Sequence, residues 1–353
     1  MKGRKGSNVK KTSANSAMEK KHDEFVKNIV ENVKPGSTLV LGISGGPDSM
    51  YLLDRCLQLR SKLRLKIIVA HVNHGLRDKA SDTDEKFVEK FCKRNKIPFH
   101  IEHLHLKKNG HSGNLEETGR EARYKFFENV RKNSKAEWIV IAHHLNDNIE
   151  TMLFNLIRGA HFNGIKAMAI TSPSRRLLRP MLGITKEEIL SYLKKQRIAF
   201  RLDASNNDTD FSRNWLRKNI IPLFPKLNAN FEQTLKETLH NFAQTSEFLE
   251  QHTAKWLKKN GKNLMIELDA FLEEHAAFQK QILVHLYKKV HDSTKKLTNK
   301  HLDEILLVLQ KRQANRKKEF GDDTFIEVVR ELKSKPKSSK KKLRRYIRLM
   351  RKK

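Results

Sequence analysis

The chain of 353 residues carries 72 lysines and arginines against 40 aspartates and glutamates, a formal net charge of +32. That length allows about two domains with cores of their own, and no apolar run approaches the roughly 20 residues that a bilayer-spanning helix needs. The positive surplus far exceeds what solubility requires and points to a polyphosphate partner such as nucleic acid.

The first 22 residues read as a basic, Lys- and Ser-rich disordered tail without the apolar stretch of a secretory signal. Glu19, Asp23 and the preference for lysine over arginine argue against a transit peptide. Strand patterns come next at 38–41, 66–72, 98–103 and 138–142, alternating with helical patterns at 50–59, 82–95, 115–131 and 147–157. Alternation of this kind, continuing to about residue 193, predicts an α/β domain with a parallel sheet and helices on both faces, whose ligands bind beyond the carboxyl ends of the strands. SGGPDS, HVNHGLR and AHHLNDNIE all fall at such ends. Past Arg201 the texture changes to an Asn-, Asp- and Ser-rich stretch, then one long helix over 230–257, read as a bridge. A smaller, mainly helical domain with one possible strand, FIEVV, is expected after it. The expected organisation is a tail at 1–22, a catalytic domain at 23–212, a bridge region at 213–257, a small domain at 258–332 and a basic tail at 333–353. After Glu331 no acidic residue occurs, and SKPKSSKKKLRRYIRLMRKK reads as a phosphate-contacting tail or terminal helix.

The two cysteines, Cys56 and Cys92, stand far apart within predicted helices. They form no CxxC redox, zinc-knuckle or iron–sulfur motif and fit a reducing cytoplasm.

LGISGGPDSM is a strand-to-helix turn whose adjacent glycines allow positive φ and close approach, with Pro47 suited to the first helical turn. Unpaired N–H groups at a helix start attract anions, so phosphate is the expected guest. No Gly-Lys-Ser/Thr comes after it, which excludes a Walker A loop, and the adjacent glycines exclude GxGxxG. Asp48 lies inside this anion-attracting loop, where a carboxylate serves metal linkage, proton handling or a helix cap. In AHHLNDNIET, Asp147 and Glu150 are three apart and share a face at a helix start; acids there also favour the helix dipole. His71, His74, His143 and His144 could suggest zinc, but no cysteine or carboxylate completes the spacing. Arg120 and Arg123 share a helix with Tyr124 and Phe127, and Arg213 and Arg217, four apart, line a face with Asn214 and Lys218.

Six stretches in order, SGGPDS (44–49), HVNHGLR (71–77), GNLEETGREARYKFF (113–127), AHHLNDNIET (142–151), LIRGA with NGIKAM (156–168) and DASNNDTDFSRNWLR (203–217), resemble the tRNA(Ile)-lysidine synthetases of the PP-loop ATP pyrophosphatase superfamily. The resemblance implies an adenine nucleotide alpha hydrolase-like catalytic domain and a ligase that adenylates C2 of the anticodon wobble cytidine of a CAU-anticodon isoleucine tRNA. Pyrophosphate leaves, and free L-lysine then displaces AMP, switching decoding and charging from methionine to isoleucine. By the same resemblance, Ser44, Gly45, Gly46, Pro47, Asp48, Ser49, His71 and His143 bind ATP; Asp48, Asp147 and Glu150 are catalytic; Asp147, Glu150 and Arg123 bind lysine; and Arg213, Arg217 and Lys218 contact tRNA. ATP is the co-substrate and Mg2+ is expected, its ligands left open. The partners implied are the tRNA and free lysine, with no membrane, a cytoplasmic setting, and a homodimer allowed. Many relatives carry Asp-Asp where this chain has Asn146 before Asp147, leaving Asp147 as the principal carboxylate. A PP-loop tRNA thiolase, a small-molecule amidating synthetase and an RNA-binding protein with a vestigial nucleotide pocket are the rivals. A thiolase would need cysteines better placed than Cys56 and Cys92, and an amidating synthetase would leave the basic carboxyl terminus unexplained. Intact SGGPDS with Asp147 and Glu150 weighs against the vestigial pocket.

Overall fold

The computed structural model describes residues 24–73, 75, 79–104, 112–160, 162–201, 214–262, 264–291, 297–313, 317–319, 324–333 and 342–351. The chain divides into two compact units, one of residues 1–151 and 168–236, the other of residues 152–167 and 237–353. Expected boundaries ran linearly along the chain; the division places 152–167 with the C-terminal unit. Side chains explain the grouping: Phe162 meets Phe242 edge-on at 5.6 Å, and the Lys166 ammonium donates to Ser246 at 2.8 Å.

In the first unit, α1 (residues 24–32) precedes β1 (Thr38–Gly42), α2 (Pro47–Arg60), β2 (Lys66–Asn73), α3 (Lys79–Arg94), β3 (Phe99–His103), α4 (Ser112–Asn133), β4 (Trp138–Val140) and α5 (Leu145–Ile157), which runs on into the second unit. Two short strands, β5 (Thr171–Ser172) and β6 (Leu177–Leu178), and the helix α7 (Lys186–Gln196) complete it, with the single-turn α6 (Phe162–Ile165) belonging to the second unit. The sheet order is β3-β2-β1-β4-β6-β5, parallel except for the β5–β6 pair. All four expected strands and the helices between them are present.

The period of two in β1 explains why both sheet faces are covered. Leu39 and Leu41 are fully buried in a core with Phe25, Ile29, Met50, Leu53, Ile189 and Leu193, whereas Val40 faces Phe127 and Val130 of α4 on the other side. Burying each such side chain contributes about 1.5–3 kcal/mol. Gly42 closes β1 because a Cβ there would come within 2.8 Å of the Phe127 ring.

The second unit contains most of the long helix Phe231–Asn260, the helices Ala276–His291 and Asn299–Gln310, and a five-stranded sheet. Its order is β7-β8-β11-β10-β9, from β7 (Gly261–Lys262), β8 (Met265–Glu267), β9 (Lys317–Glu319), β10 (Thr324–Lys333) and β11 (Lys342–Arg351). The expected helices are there, and FIEVV lies in β10. The sheet corrects the reading of residues 333–353 as a tail or terminal helix. Residues 342–351 form its central strand, antiparallel to β10 on one side and to β8 on the other. Ile347 and Leu349 lie on one face of this strand in the same core as Ile326 and Val328, so a half-buried strand is concealed within a charge run. No helix among the described residues is long and apolar enough to cross a membrane.

Candidate active site

Connectivity in the first unit reverses between β1 and β4, which lie side by side although β2 and β3 intervene in sequence. Ligands bind at such a switch point, beyond the carboxyl ends of the strands. The loops leaving β1 and β4 are SGGPDS and AHHLND, so the fold brings the two motifs together.

The first loop is held in an open form by its own hydroxyls. Gly45, at φ +90°, donates to Ser49 Oγ at 3.1 Å, Gly46 donates to Ser44 Oγ at 3.3 Å, and the two hydroxyls lie 3.2 Å apart. Gly46 is the N-cap of α2 with no side-chain cap bond, and Pro47 begins the helix. The first-turn N–H groups of Asp48 and Ser49 therefore have no helical acceptor, which suits phosphate oxygens. Two distant groups fix the loop from behind: Arg201 N–H donates to the Gly45 carbonyl at 2.9 Å, and buried His71 donates from Nδ1 to the Ile43 carbonyl at 2.8 Å. Burial lowers the His71 pKa, so the ring is neutral with its proton on Nδ1. Its place in the structure is a brace for the phosphate loop.

Asp48 does not cap its helix. Its Oδ1 accepts from the Lys186 ammonium at 2.6 Å, and it lies 3.7 Å from His144 Nε2. Lys186 arrives there because Thr185 and Glu188 form a capping box that starts α7, while the Lys186 N–H donates to Asn146 Oδ1 at 2.8 Å. The other end of the Asn146 amide donates to Glu232. An aspartate at this position could accept but not donate, and would set two carboxylates against each other.

His144 is the point where the two loops meet. Its Nε2 is 3.6 Å from Asp147 Oδ2 as well as close to Asp48, and its backbone N–H donates to Asp147 Oδ2 at 3.1 Å. Asp147 thus performs the helix-start duty expected of an acid there and still presents Oδ1, 3.8 Å from Arg217. The His144 Nδ1 is buried without a hydrogen-bond partner among the described residues. His143 accepts at Nδ1 from Arg179 at 3.3 Å, and burial, reinforced by the charges of Arg179 and Arg120, pushes its pKa down to about 4 against the opposing pull of Asp147. It is therefore a neutral ring at physiological pH, with Nε2 carrying its proton.

Glu150 is engaged twice by Arg217, Nε to Oε1 at 2.6 Å and an Nη to Oε2 at 2.7 Å, and this pairing raises the Arg217 pKa. Arg217, expected on the RNA side, is thus turned onto the carboxylate pair. Because Glu150 is buried and the Arg217 side chain is 45% exposed, removing the guanidinium should cost less than breaking a fully buried pair, about 2 kcal/mol. Arg217→Ala is expected to lower the thermal midpoint accordingly, and Arg217→Lys to recover only part of the loss, since an ammonium cannot make the fork. An unchanged midpoint in Arg217→Ala would reduce the pair to a surface contact.

Of the other expected residues, Arg123 is exposed on α4, Lys218 is exposed beside Arg217, and Arg213 and His74 lie outside the described residues. Lys186, Arg179 and the double role of His144 had no sequence signal beyond the Thr-x-x-Glu capping box ahead of α7. Cys56 and Cys92 are buried, with thiols pushed up to about 12 by desolvation, so they are not poised as nucleophiles.

The fold and its glycine loop define a PP-loop protein, and residues 14–224 match the model of the PP-loop domain. The U34-tRNA thiolase NcsA from Methanococcus maripaludis shares this fold, with a TM-score of 0.55 at 16% identity over 64% of this chain and 78% of that one. The chain is 31% identical to the tRNA(Ile)-lysidine synthase of Bacillus cereus over 88% of its own length and 67% of that protein's. It is 34% identical to the bifunctional protein TilS/HprT of Listeria monocytogenes, covering 79% of this chain but only 44% of that one. The chain belongs to the tRNA(Ile)-lysidine synthase family of PP-loop proteins.

Proposed function

We propose that the protein uses ATP to join free lysine to C2 of the wobble cytidine of a CAU-anticodon isoleucine tRNA, in the cytoplasm, through an adenylated tRNA. The observation that carries this reading is the convergence of Asp48 and Asp147 on His144 at the mouth of the glycine loop. Adenylation breaks the α–β phosphoanhydride, with the cytosine O2 bonding to the α-phosphorus and pyrophosphate leaving. The N–H groups at the start of α2, with the Ser44 and Ser49 hydroxyls, are suited to hold that pyrophosphate. The lysine amine must then be neutral to attack C2, from which AMP departs with the oxygen. To Asp147, whose Oδ1 lies 3.8 Å from the Glu150-bound Arg217, we assign the task of receiving the lysine ammonium and taking its proton.

Magnesium bound with a nucleotide takes one or two carboxylates and completes its shell with water and phosphate oxygens. Asp48, at the start of the helix that follows the glycine loop, is a donor of that kind, and no cluster of three or more His, Cys, Asp or Glu stands among the described residues to form a dedicated cage. Asp48 would hold the ion together with phosphate oxygens and water, and the ion would supply neutralisation of the leaving pyrophosphate.

The test is nucleotide analysis of the protein incubated with ATP and lysine, with and without the tRNA. AMP and pyrophosphate should form only with RNA present, and labelled lysine should appear in the RNA nucleosides. ADP as product, or lysine absent from the RNA, refutes the reading.

A further inference from the structure

We propose that Trp215 is a stacking platform for an unpaired base of the RNA substrate, next to the nucleotide that enters the site; this rests on the reading that the substrate is tRNA. The chain has three tryptophans. Trp138 is buried and donates to the Asn32 carbonyl at 3.0 Å, and Trp256 donates to Glu274 at 2.6 Å. Trp215 is 50% exposed, and among the described residues its indole N–H has no partner.

The two residues after it fix its place in the chain. Leu216 is 3% exposed and anchors the turn, and Arg217 is clamped to Glu150. Helical residues two apart point to opposite sides, so with Arg217 facing the carboxylates the Trp215 ring stands on the outer side, with Lys218 and Asn219. The turn itself is a single π-helical turn, Leu216–Ile220, closed by the Ile221 N–H on the Leu216 carbonyl. Pro222 accounts for the widening: it has no N–H for the Lys218 carbonyl and its ring would collide with that carbonyl in an α-helix. Asn219 Nδ2 reaches back to the Trp215 carbonyl at 3.0 Å and steadies the start of the turn.

Charge selects the occupant. Besides Arg217, which Glu150 holds, residues 211–231 include Arg213, Lys218 and Lys226 and no acid. An exposed indole in a cationic segment matches single-stranded RNA, whose bases stack on aromatic rings while cations hold the backbone. A duplex stem would offer the ring no free base face. The ring thus lies two positions from Arg217 in the chain, on the side of the turn away from the Arg217–Glu150 pair, where a neighbour of the modified cytidine could stack on it.

The experiment is a titration of the full-length protein with the CAU-anticodon tRNA, following tryptophan emission and, independently, filter binding. Trp215→Ala, Trp215→Phe and the native chain are compared, with ATP binding measured in all three. Native emission should be quenched saturably, and Trp215→Ala should lose the quenching and bind tRNA about tenfold more weakly. Trp215→Phe should restore most of the affinity, and ATP binding should be the same throughout. Equal tRNA affinity in Trp215→Ala and the native chain overturns the proposal while leaving the proposed activity standing. A shift in sedimentation of Trp215→Ala with unaltered tRNA affinity assigns the ring to contact between protein copies and also overturns it. No tRNA binding by the native chain overturns both this inference and the activity on which it rests.

Discussion

Asp48→Ala is expected to reduce tRNA-dependent AMP formation by roughly 10²–10³-fold, with lysine incorporation falling in parallel, because a positioned carboxylate is lost from the step that precedes both products. The geometry separates this from a folding effect. Asp48 is neither a cap nor a core residue; its contacts are the Lys186 ammonium and the neighbourhood of His144. If its value lay only in the ion pair, Lys186→Met would be equally damaging. That variant should instead retain most of the activity, since the capping box of Thr185 and Glu188 holds α7 without the ammonium. Asp147→Ala should differ from Asp48→Ala: adenylated RNA should still form and lysine transfer should fail. Equal loss of adenylated RNA in both variants would contradict the separate duties assigned to the two carboxylates.

The largest effect on stability is expected from removal of residues 342–353. Were these a phosphate-contacting tail, truncation would weaken RNA binding and leave the fold intact. As the central strand of the second unit's sheet, they pair with β10 along its whole length, from Thr324 with Arg351 to Lys333 with Lys342, and with β8 on the other side. Deletion removes the fully buried Ile347 and the nearly buried Leu349 and Tyr346, each worth about 1.5–3 kcal/mol of apolar burial, together with both ladders. The sum is comparable to the whole stability of a domain, roughly 5–15 kcal/mol. The truncated chain should lose the melting transition of the second unit, become sensitive to limited proteolysis between residues 261 and 333, and aggregate through the exposed edges of β8 and β10. Retention of that transition with only a weaker salt-dependent affinity for RNA would restore the tail.

Hydrophobic periodicity and glycine placement are local properties, so the four parallel strands, their intervening helices and the long helix Phe231–Asn260 were legible in the sequence, as was the strand-to-helix turn of SGGPDS. Composition was equally informative about the partner: +32 charges on 353 residues favour a polyanion regardless of fold. Buried strands that carry their own apolar signal could be read; β11 could not, because lysines and arginines surround its Ile347 and Leu349 and the strands that pair with it lie elsewhere in the sequence.

Contacts between residues far apart in the chain were left to the three-dimensional fold. Lys186 and Asp48 are 138 positions apart and Arg217 and Glu150 are 67 apart, and neither pairing leaves a mark in local spacing. Asn146 illustrates the difference. Read along the chain it is a missing acid; in the fold its amide joins Glu232 to the start of α7, a task that needs a donor and an acceptor on one side chain. Residue types and local periods pointed to the class of chemistry proposed, because they depend on neighbours a few residues away. Which charges meet was set by the order of strands around β1, since proximity across a sheet depends on topology and not on sequence distance.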